Sequence, residues 1–266
     1  MNFLHTYIPH AIAFHVGPLT IYWYGIIMAV AIICGLLLAL HIAKLRNIKS
    51  DDILDASIWA IIGGLLGARI YEIFLEWPYY STHPQQIIQV WNGGLAIHGA
   101  LIGALIALLI FVRKKSFTIW NLAAVMLPGV ALGQAIGRVG NYFNQELFGL
   151  PTNLPWGIPI DLAHRPLGYE AFQYFHPTFL YEAKLLLILT IIIYYFIRKK
   201  QFSSSCIVAT YLIGYGLIRF ALEFIKIDPT PLFLGLRWPQ VMSLLMIIFG
   251  IGIIIKVKKK IKRQTA

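Results

Sequence analysis

Charge is what this sequence has least of. Only 12% of its 266 residues are Asp, Glu, Lys or Arg, and 59% are hydrophobic. Soluble domains run at about 25% charged and about 45–50% apolar. A chain this poor in charge cannot cover a water-facing surface, which excludes a soluble enzyme and a disordered protein. Cysteine is nearly missing too. Cys34 and Cys206 each lie within a long apolar run, which excludes a disulfide scaffold and leaves both as small core residues. The five aspartates, at 51, 52, 55, 161 and 228, all avoid the deep parts of those runs, against an aspartyl intramembrane protease. There is no His-Glu-x-x-His, no Gly-x-Ser-x-Gly, no phosphate-cradling P-loop and no metal-ligand spacing. Serines within the spans, Ser57 and Ser243, have no clear histidine partner. No cofactor is expected. A chemistry built from arginines, a histidine and a few amides remains, and displacement at a phosphate fits it.

What the sequence does have is long apolar runs. A spanning helix needs about 20 apolar residues, because ~30 Å of hydrocarbon is crossed at about 1.5 Å per residue. Seven stretches qualify: 19–43, 53–74, 94–112, 118–140, 178–197, 205–225 and 238–255. They are continuously apolar rather than alternating, which selects helices over barrel strands. The expected fold is an all-α membrane protein, with 1–266 forming a single transmembrane domain. No internal repeat or low-complexity linker divides it.

The formal net charge of +11 is explained by position. Lys44, Arg46 and Lys49 follow span one, Arg113, Lys114 and Lys115 follow span three, and Arg198, Lys199 and Lys200 follow span five. Lys256, Lys258, Lys259, Lys260, Lys262 and Arg263 follow span seven. Fifteen of the 22 cations therefore fall on one side of a seven-span path, and the positive-inside rule makes that side the cytoplasm. The N-terminus is expected outside and the C-terminus in the cytoplasm. No nucleic-acid partner is implied. Span one is not read as a removed signal peptide, because no cation precedes it and its run exceeds the about 7–15 residues of a signal core. Outward segments 75–93, 141–177 and 226–237 carry Trp77, Tyr79, Tyr80, Trp91, Trp156, Tyr169 and Tyr174, an aromatic belt. The Pro-, Gly- and aromatic-rich 141–177 segment is expected to form a small outer cap.

Ionisable groups inside spans are costly and point to function. Tyr24, Arg69, Glu72, His98, Arg138, Asn141, His176, Tyr181, Glu182, Arg219 and Glu223 all fall in the outer halves of their spans. A polar chamber open toward the outer leaflet is the simplest arrangement. Tyr215, Arg219 and Glu223 recur at i, i+4 and i+8 and so share a helix face. Gly63/Gly67, Gly99/Gly103 and Gly129/Gly133/Gly137 form small-residue stripes for close helix packing. Arg138, Asn141, Asn144 and Glu146 crowd the exit of the fourth span. A guanidinium there needs a carboxylate or a phosphate. Structural pairs Arg138–Glu146 and Arg219–Glu223 are one reading; a phosphate clamp of two arginines at one depth is the other. His98, with an ordinary pKa near 6.5, is a candidate general base or a hydrogen-bonded core group. His5, His10, His15, His83 and His41 receive no role. A small transporter would instead need polar lining on both sides of the membrane. A purely structural subunit leaves the two arginines unexplained.

These residues carry a resemblance along nearly the whole chain. Gly137-Arg-Val-Gly-Asn-Tyr-Phe-Asn-Gln-Glu-Leu-Phe-Gly149 resembles the signature of the bacterial phosphatidylglycerol–prolipoprotein diacylglyceryl transferases. Gly93-Gly-Leu-Ala-Ile-His-Gly99, His176-Pro-Thr-Phe-Leu-Tyr-Glu182, Tyr215-Gly-Leu-Ile-Arg-Phe-Ala-Leu-Glu223 and Tyr22-Trp-Tyr-Gly25 are similar to its other blocks. The resemblance implies seven spans and a cell-membrane enzyme. It also implies transfer of the diacylglyceryl group of phosphatidylglycerol to the lipobox cysteine of a prolipoprotein. It carries over Tyr24, His98, Arg138, Asn141, Glu146, Gly149, Tyr215, Arg219 and Glu223 as functional. Of these, His98, Arg138, Arg219, Tyr24 and Glu223 are the catalytic candidates. Arg138, Asn141, Glu146, Gly149, Tyr215 and Arg219 are the substrate-binding ones. Ala100, Pro239 and Lys226 depart from the residues common in the family.

Overall fold

The structure is a computed structural model that describes residues 3–199 and 202–265; Lys200 lies outside them. The chain begins with a short helix α1 (Phe3–Thr6) and a hairpin of β1 (Ile12–Val16) and β2 (Leu19–Tyr22). Helices α2 (Trp23–Leu45), α3 (Ser50–Leu75), short α4 (Trp77–Thr82), α5 (Ile97–Val112) and α6 (Ile119–Phe143) follow. A second hairpin, β3 (Ile158–Pro159) with β4 (Tyr174–Phe175), precedes α7 (Thr178–Arg198) and α8 (Ser204–Leu222). A third, β5 (Leu232–Phe233) with β6 (Leu236–Arg237), leads into α9 (Trp238–Thr265). The three hairpins are antiparallel additions to an otherwise helical chain.

Six of these helices, α2, α3, α6, α7, α8 and α9, are long and apolar enough to cross a membrane, as expected of a multi-pass membrane protein. The seventh apolar helix, α5, has 16 residues and begins at Ile97 rather than near 94. The cause is local. Gly93 and Gly94 take φ of 86° and 68°, a left-handed backbone that stops a helix from starting earlier.

The chain divides into two compact units, Met1–Ile42 with Ala124–Ala266, and Ala43–Ala123. The smaller unit rests on the crossing of α3 and α5, where Gly63, Gly67, Gly99 and Gly103 bring the two backbones together. Its loop is tied down by Arg69, which is 6% exposed. Arg69 Nε donates to Ile87 O (2.8 Å), and Nη1 donates to Tyr80 Oη (3.0 Å), Gly93 O (2.9 Å) and Gly94 O (2.9 Å). Nη2 donates to Gln86 O. A Cβ at Gly94 would lie 2.8 Å from Arg69 Nη1, so the glycine makes room for that guanidinium. Arg69 is thus the anchor of the 84–94 turn.

In the larger unit the 141–177 segment has a small core of its own. Tyr142, Phe148, Ile158, Ile160, Phe175 and Phe179 are buried together, with Leu4 and Tyr169 packed against them. Gln145, held at φ 50°, accepts from Asp161 N (2.7 Å) and donates to Asp161 Oδ2 (2.9 Å) and Pro9 O (3.1 Å). His5 stacks on Tyr174 with ring centroids 4.0 Å apart, so a histidine without an assigned role is structural. This packing fixes the end of α6 and the start of α7, from which the charged groups project.

Candidate functional site

Five charged side chains on four segments of the larger unit meet in one ion-pair chain. Its hub is Glu182, in the second turn of α7 and fully buried. Glu182 Oε1 accepts from Arg138 Nη2 of α6 at 2.7 Å. Oε2 accepts from Arg219 Nη1 of α8 at 3.3 Å and from Lys226 Nζ at 3.2 Å. Glu223, 1% exposed and capping the end of α8, accepts from Arg219 Nη2 at 3.3 Å. Its other oxygen meets Arg237 Nε of β6 at 3.0 Å, which adds a sixth charged group. Four cations thus stand against the two buried carboxylates of this chain, with Glu146 and Asp228 as further acidic neighbours.

The two arginines are only partly consumed. A guanidinium has about five N–H donors. Arg138 uses one on Glu182 and one, at 3.5 Å, on Asn141 Oδ1; Arg219 uses one on each carboxylate. Their side chains are 23% and 18% exposed, and neither has a buried donor without a partner. Accessible N–H groups on two neighbouring forks have the chemistry to receive an anion.

Asn141 and Glu146 join this site in a way that spacing does not reveal. Asn141, 4% exposed, donates from Nδ2 to Glu146 Oε1 at 2.9 Å, while its oxygen faces Arg138. Asn144 Nδ2 also donates to Glu146 Oε1, at 3.1 Å. The Arg138–Glu146 pair is therefore replaced by Arg138–Asn141–Glu146, and the carboxylate partner of Arg138 is Glu182, 44 residues away. The Arg219–Glu223 pair forms as its i, i+4 spacing suggests.

Lys226 and Arg237 read as outer-loop charges in the sequence; the structure brings both inward. Lys226 is 4% exposed. Burial pushes its ammonium below the usual lysine range, with Arg219 and Arg138 adding to the shift and Glu182 opposing it. Burial pushes the Asp228 carboxyl up, against the pull of Lys226 and Arg237. Arg237 also donates from Nη1 to Lys226 O and from Nη2 to Asp228 O, so it clasps the 226–228 backbone. Gly149 is a close-approach residue. It bridges to Lys226, and a Cβ there would meet Ile225 O at 2.5 Å and Thr178 Cγ2 at 2.6 Å. Its N–H is already donated to His176 O at 2.8 Å, so it seats the 225–226 backbone instead of offering a donor.

Tyr215 lies one turn before Arg219 and stacks on Tyr211, whose hydroxyl donates to Gln134 Oε1 at 3.1 Å. Tyr24 packs its ring on Gly140, two residues past Arg138. His98 belongs to the smaller unit. It is exposed in the first turn of α5, tilted against Tyr71 with centroids 6.2 Å apart. Among the described residues no group of three or more His, Cys, Asp or Glu is placed to hold a metal.

Comparison with known proteins shows the family of the chain. A family profile described as Prolipoprotein diacylglyceryl transferase matches residues 11–256. A relative from Acaryochloris marina is 46% identical over 242 residues, 90% of this chain and 86% of its own. One from Synechococcus elongatus is 42% identical over 242 residues, 89% of this chain and 83% of its own. One from Finegoldia magna is 40% identical over 251 residues, 94% and 96% of the two chains. All three carry the name phosphatidylglycerol–prolipoprotein diacylglyceryl transferase. The match takes in every member of the ion-pair chain, and the protein belongs to the prolipoprotein diacylglyceryl transferase family.

Proposed function

We propose that this protein transfers the diacylglyceryl group of phosphatidylglycerol to the lipobox cysteine of prolipoproteins, the first step of lipoprotein maturation. The single observation that carries this reading is the shared buried carboxylate that holds Arg138 and Arg219 side by side with accessible donors. The thiolate sulfur attacks the glyceryl carbon bound to the phosphate oxygen. A carbon–sulfur bond forms, the carbon–oxygen bond breaks, and its electron pair leaves on glycerol phosphate. A phosphodiester monoanion and a thiolate enter, and a phosphate dianion leaves, so two negative charges must be held throughout. The accessible donors of two guanidinium groups support that load. Preorganised donors in a water-poor site are usually the largest catalytic contribution.

Arg138 and Arg219 grip the lipid phosphate; Asn141 and Glu146 orient Arg138, and Glu223 orients Arg219. Gly149 keeps the 225–226 backbone close, with Tyr24 and Tyr215 lining the approach. The thiol has an ordinary pKa near 8.5 and must lose its proton. His98, exposed at the start of α5, is the candidate base; the arginine field alone is the competing account. The family match runs through both compact units, which supports one transferase domain spanning 1–266. The cation distribution supports an external N-terminus, a cytoplasmic C-terminus, an outer cap over 141–177 and a site toward the outer leaflet of the bacterial cell membrane. Anionic membrane lipid is the partner, and nucleic acid is not.

Purified protein in detergent should move labelled diacylglyceryl from phosphatidylglycerol to a lipobox peptide and release glycerol phosphate. A preparation that leaves the lipid intact in the presence of peptide would sink the assignment. In the same assay His98→Gln should retain well under about a tenth of the rate, since general bases contribute about 10²–10⁴-fold; retention of most of it gives the thiol to the arginine field. Lys262→Cys should stay unlabelled by an impermeant thiol reagent in intact cells. Labelling there would invert the topology.

A further inference from the structure

Glu182 is the one group in the site whose contacts exceed what charge neutralisation requires. It is fully buried, yet each of its oxygens is committed: Oε1 to Arg138, and Oε2 to both Arg219 and Lys226. Arg138, Arg219 and Lys226 lie on three different segments, α6, α8 and the loop between α8 and β5, and among the described residues only the α7 carboxylate touches all three. Arg138 and Arg219 repel one another, and their long side chains have several rotatable bonds each. Without a shared acceptor nothing in the network would hold both forks at one place. Asn141 touches Arg138 alone, and Glu223 touches Arg219 and Arg237 but not Arg138.

We infer that Glu182 is the positioning residue of the reaction: one carboxylate, gripped from both oxygens, sets the separation and plane of the two guanidinium groups so that their remaining donors serve a single phosphate. This rests on the reading that Arg138 and Arg219 hold the lipid phosphate. Lys226 has a different part. It supplies a second counter-charge on Oε2, so that the carboxylate can sit beside two arginines without being pulled wholly to either.

The alternative is that Glu182 only neutralises buried cations. A charge-compensated pair of variants separates the two. Lys226→Met keeps the Arg138–Glu182–Arg219 bridge. Glu182→Gln in the Lys226→Met background removes the bridge but leaves no lysine to be stranded in the interior. Its network is the more positive of the two, so it should bind an anionic lipid at least as well. The expected result is an unchanged or lower KM for phosphatidylglycerol and a kcat about 10²-fold below Lys226→Met, because misplacement by about 1 Å costs roughly that much. The double variant should melt lower, because Arg138 loses its carboxylate partner, so kcat is compared at a temperature where both proteins are folded. Equal kcat in the pair would overturn the inference. Should the double variant not fold, Glu182→Asp in the otherwise unchanged protein decides. It keeps the charge but is one methylene too short to reach both forks, so kcat should fall while KM holds, and wild-type kcat would again overturn the inference. Arg138→Ala and Arg219→Ala run in parallel keep the two readings apart. If they turn over normally, the phosphate clamp itself is wrong. If they are dead while the Glu182 variants match their references, only the positioning role falls.

Discussion

Arg138→Ala and Arg219→Ala should each lose about 10²–10³-fold in diacylglyceryl transfer, close to 3–4 kcal/mol of transition-state stabilisation. The loss should be chemical, because the partners that remain should keep the fold intact after either change. With Arg138 gone, Glu182 still accepts from Arg219 and Lys226. With Arg219 gone, Glu182 keeps Arg138 and Lys226, and Glu223 keeps Arg237. Neither change strands a buried carboxylate, which is the situation that makes breaking a buried ion pair costly. Melting temperatures in detergent should therefore stay near wild type while turnover collapses. Arg138→Lys is the informative companion. It keeps the charge but loses the planar fork that reaches Glu182, Asn141 and an anion together, so it should recover only part of the rate. Labelled lipid and a lipobox peptide supply the assay. Ordinary turnover by either alanine variant rules out the clamp.

Much of this was legible in the sequence because a membrane punishes polar groups so severely. Apolar runs mark the helices, and any arginine within one must have a partner, which singles out Arg69, Arg138 and Arg219 before any coordinates are known, although Arg69 then pairs with loop carbonyls and the Tyr80 hydroxyl. The partner itself is not legible. Glu146 stands eight residues from Arg138 and Glu182 stands 44 away, yet Glu182 is the one that binds it. Sequence spacing exposes only contacts along one helix, such as Arg219–Glu223, and says nothing of those between α6 and α7. Lys226 and Arg237 were hidden for another reason. Lys226 directly follows one apolar run and Arg237 directly precedes the next, so both resemble solvated loop charges, whereas the β5–β6 hairpin turns Arg237 back onto Glu223. One signal was available: a carboxylate four residues into an apolar run, at Glu182, needs as much neutralisation as the arginines do. The 141–177 segment hid its order as well, since its core comes from six aromatic and aliphatic residues scattered too irregularly for any helical or strand period.

Gly103→Ala should be among the most damaging single-methyl additions to the smaller unit. A Cβ at this position would run into Gly63 O and lie 2.8 Å from Gly67 Cα, both backbone atoms of α3. Overpacking costs about 1–3 kcal/mol where side chains can move aside. Here nothing flexible stands in the way, so α3 and α5 must separate, and the loss should sit at or above the top of that range. At about 2–4 °C per kcal/mol, the melting temperature should drop by roughly 6–12 °C. The separation also strains the turn that Arg69 ties to Gly93 and Gly94, because the two arms of that turn are the helices being forced apart. Gly252→Ala supplies the opposite sign. That glycine lies exposed within α9 with nothing within 4 Å of a Cβ, so alanine should add up to about 1 kcal/mol of helix propensity without a clash. Thermal unfolding of the two variants in one detergent measures both effects. If Gly103→Ala melts with wild type, α3 and α5 are not held at backbone contact, and the small-residue stripes have another purpose.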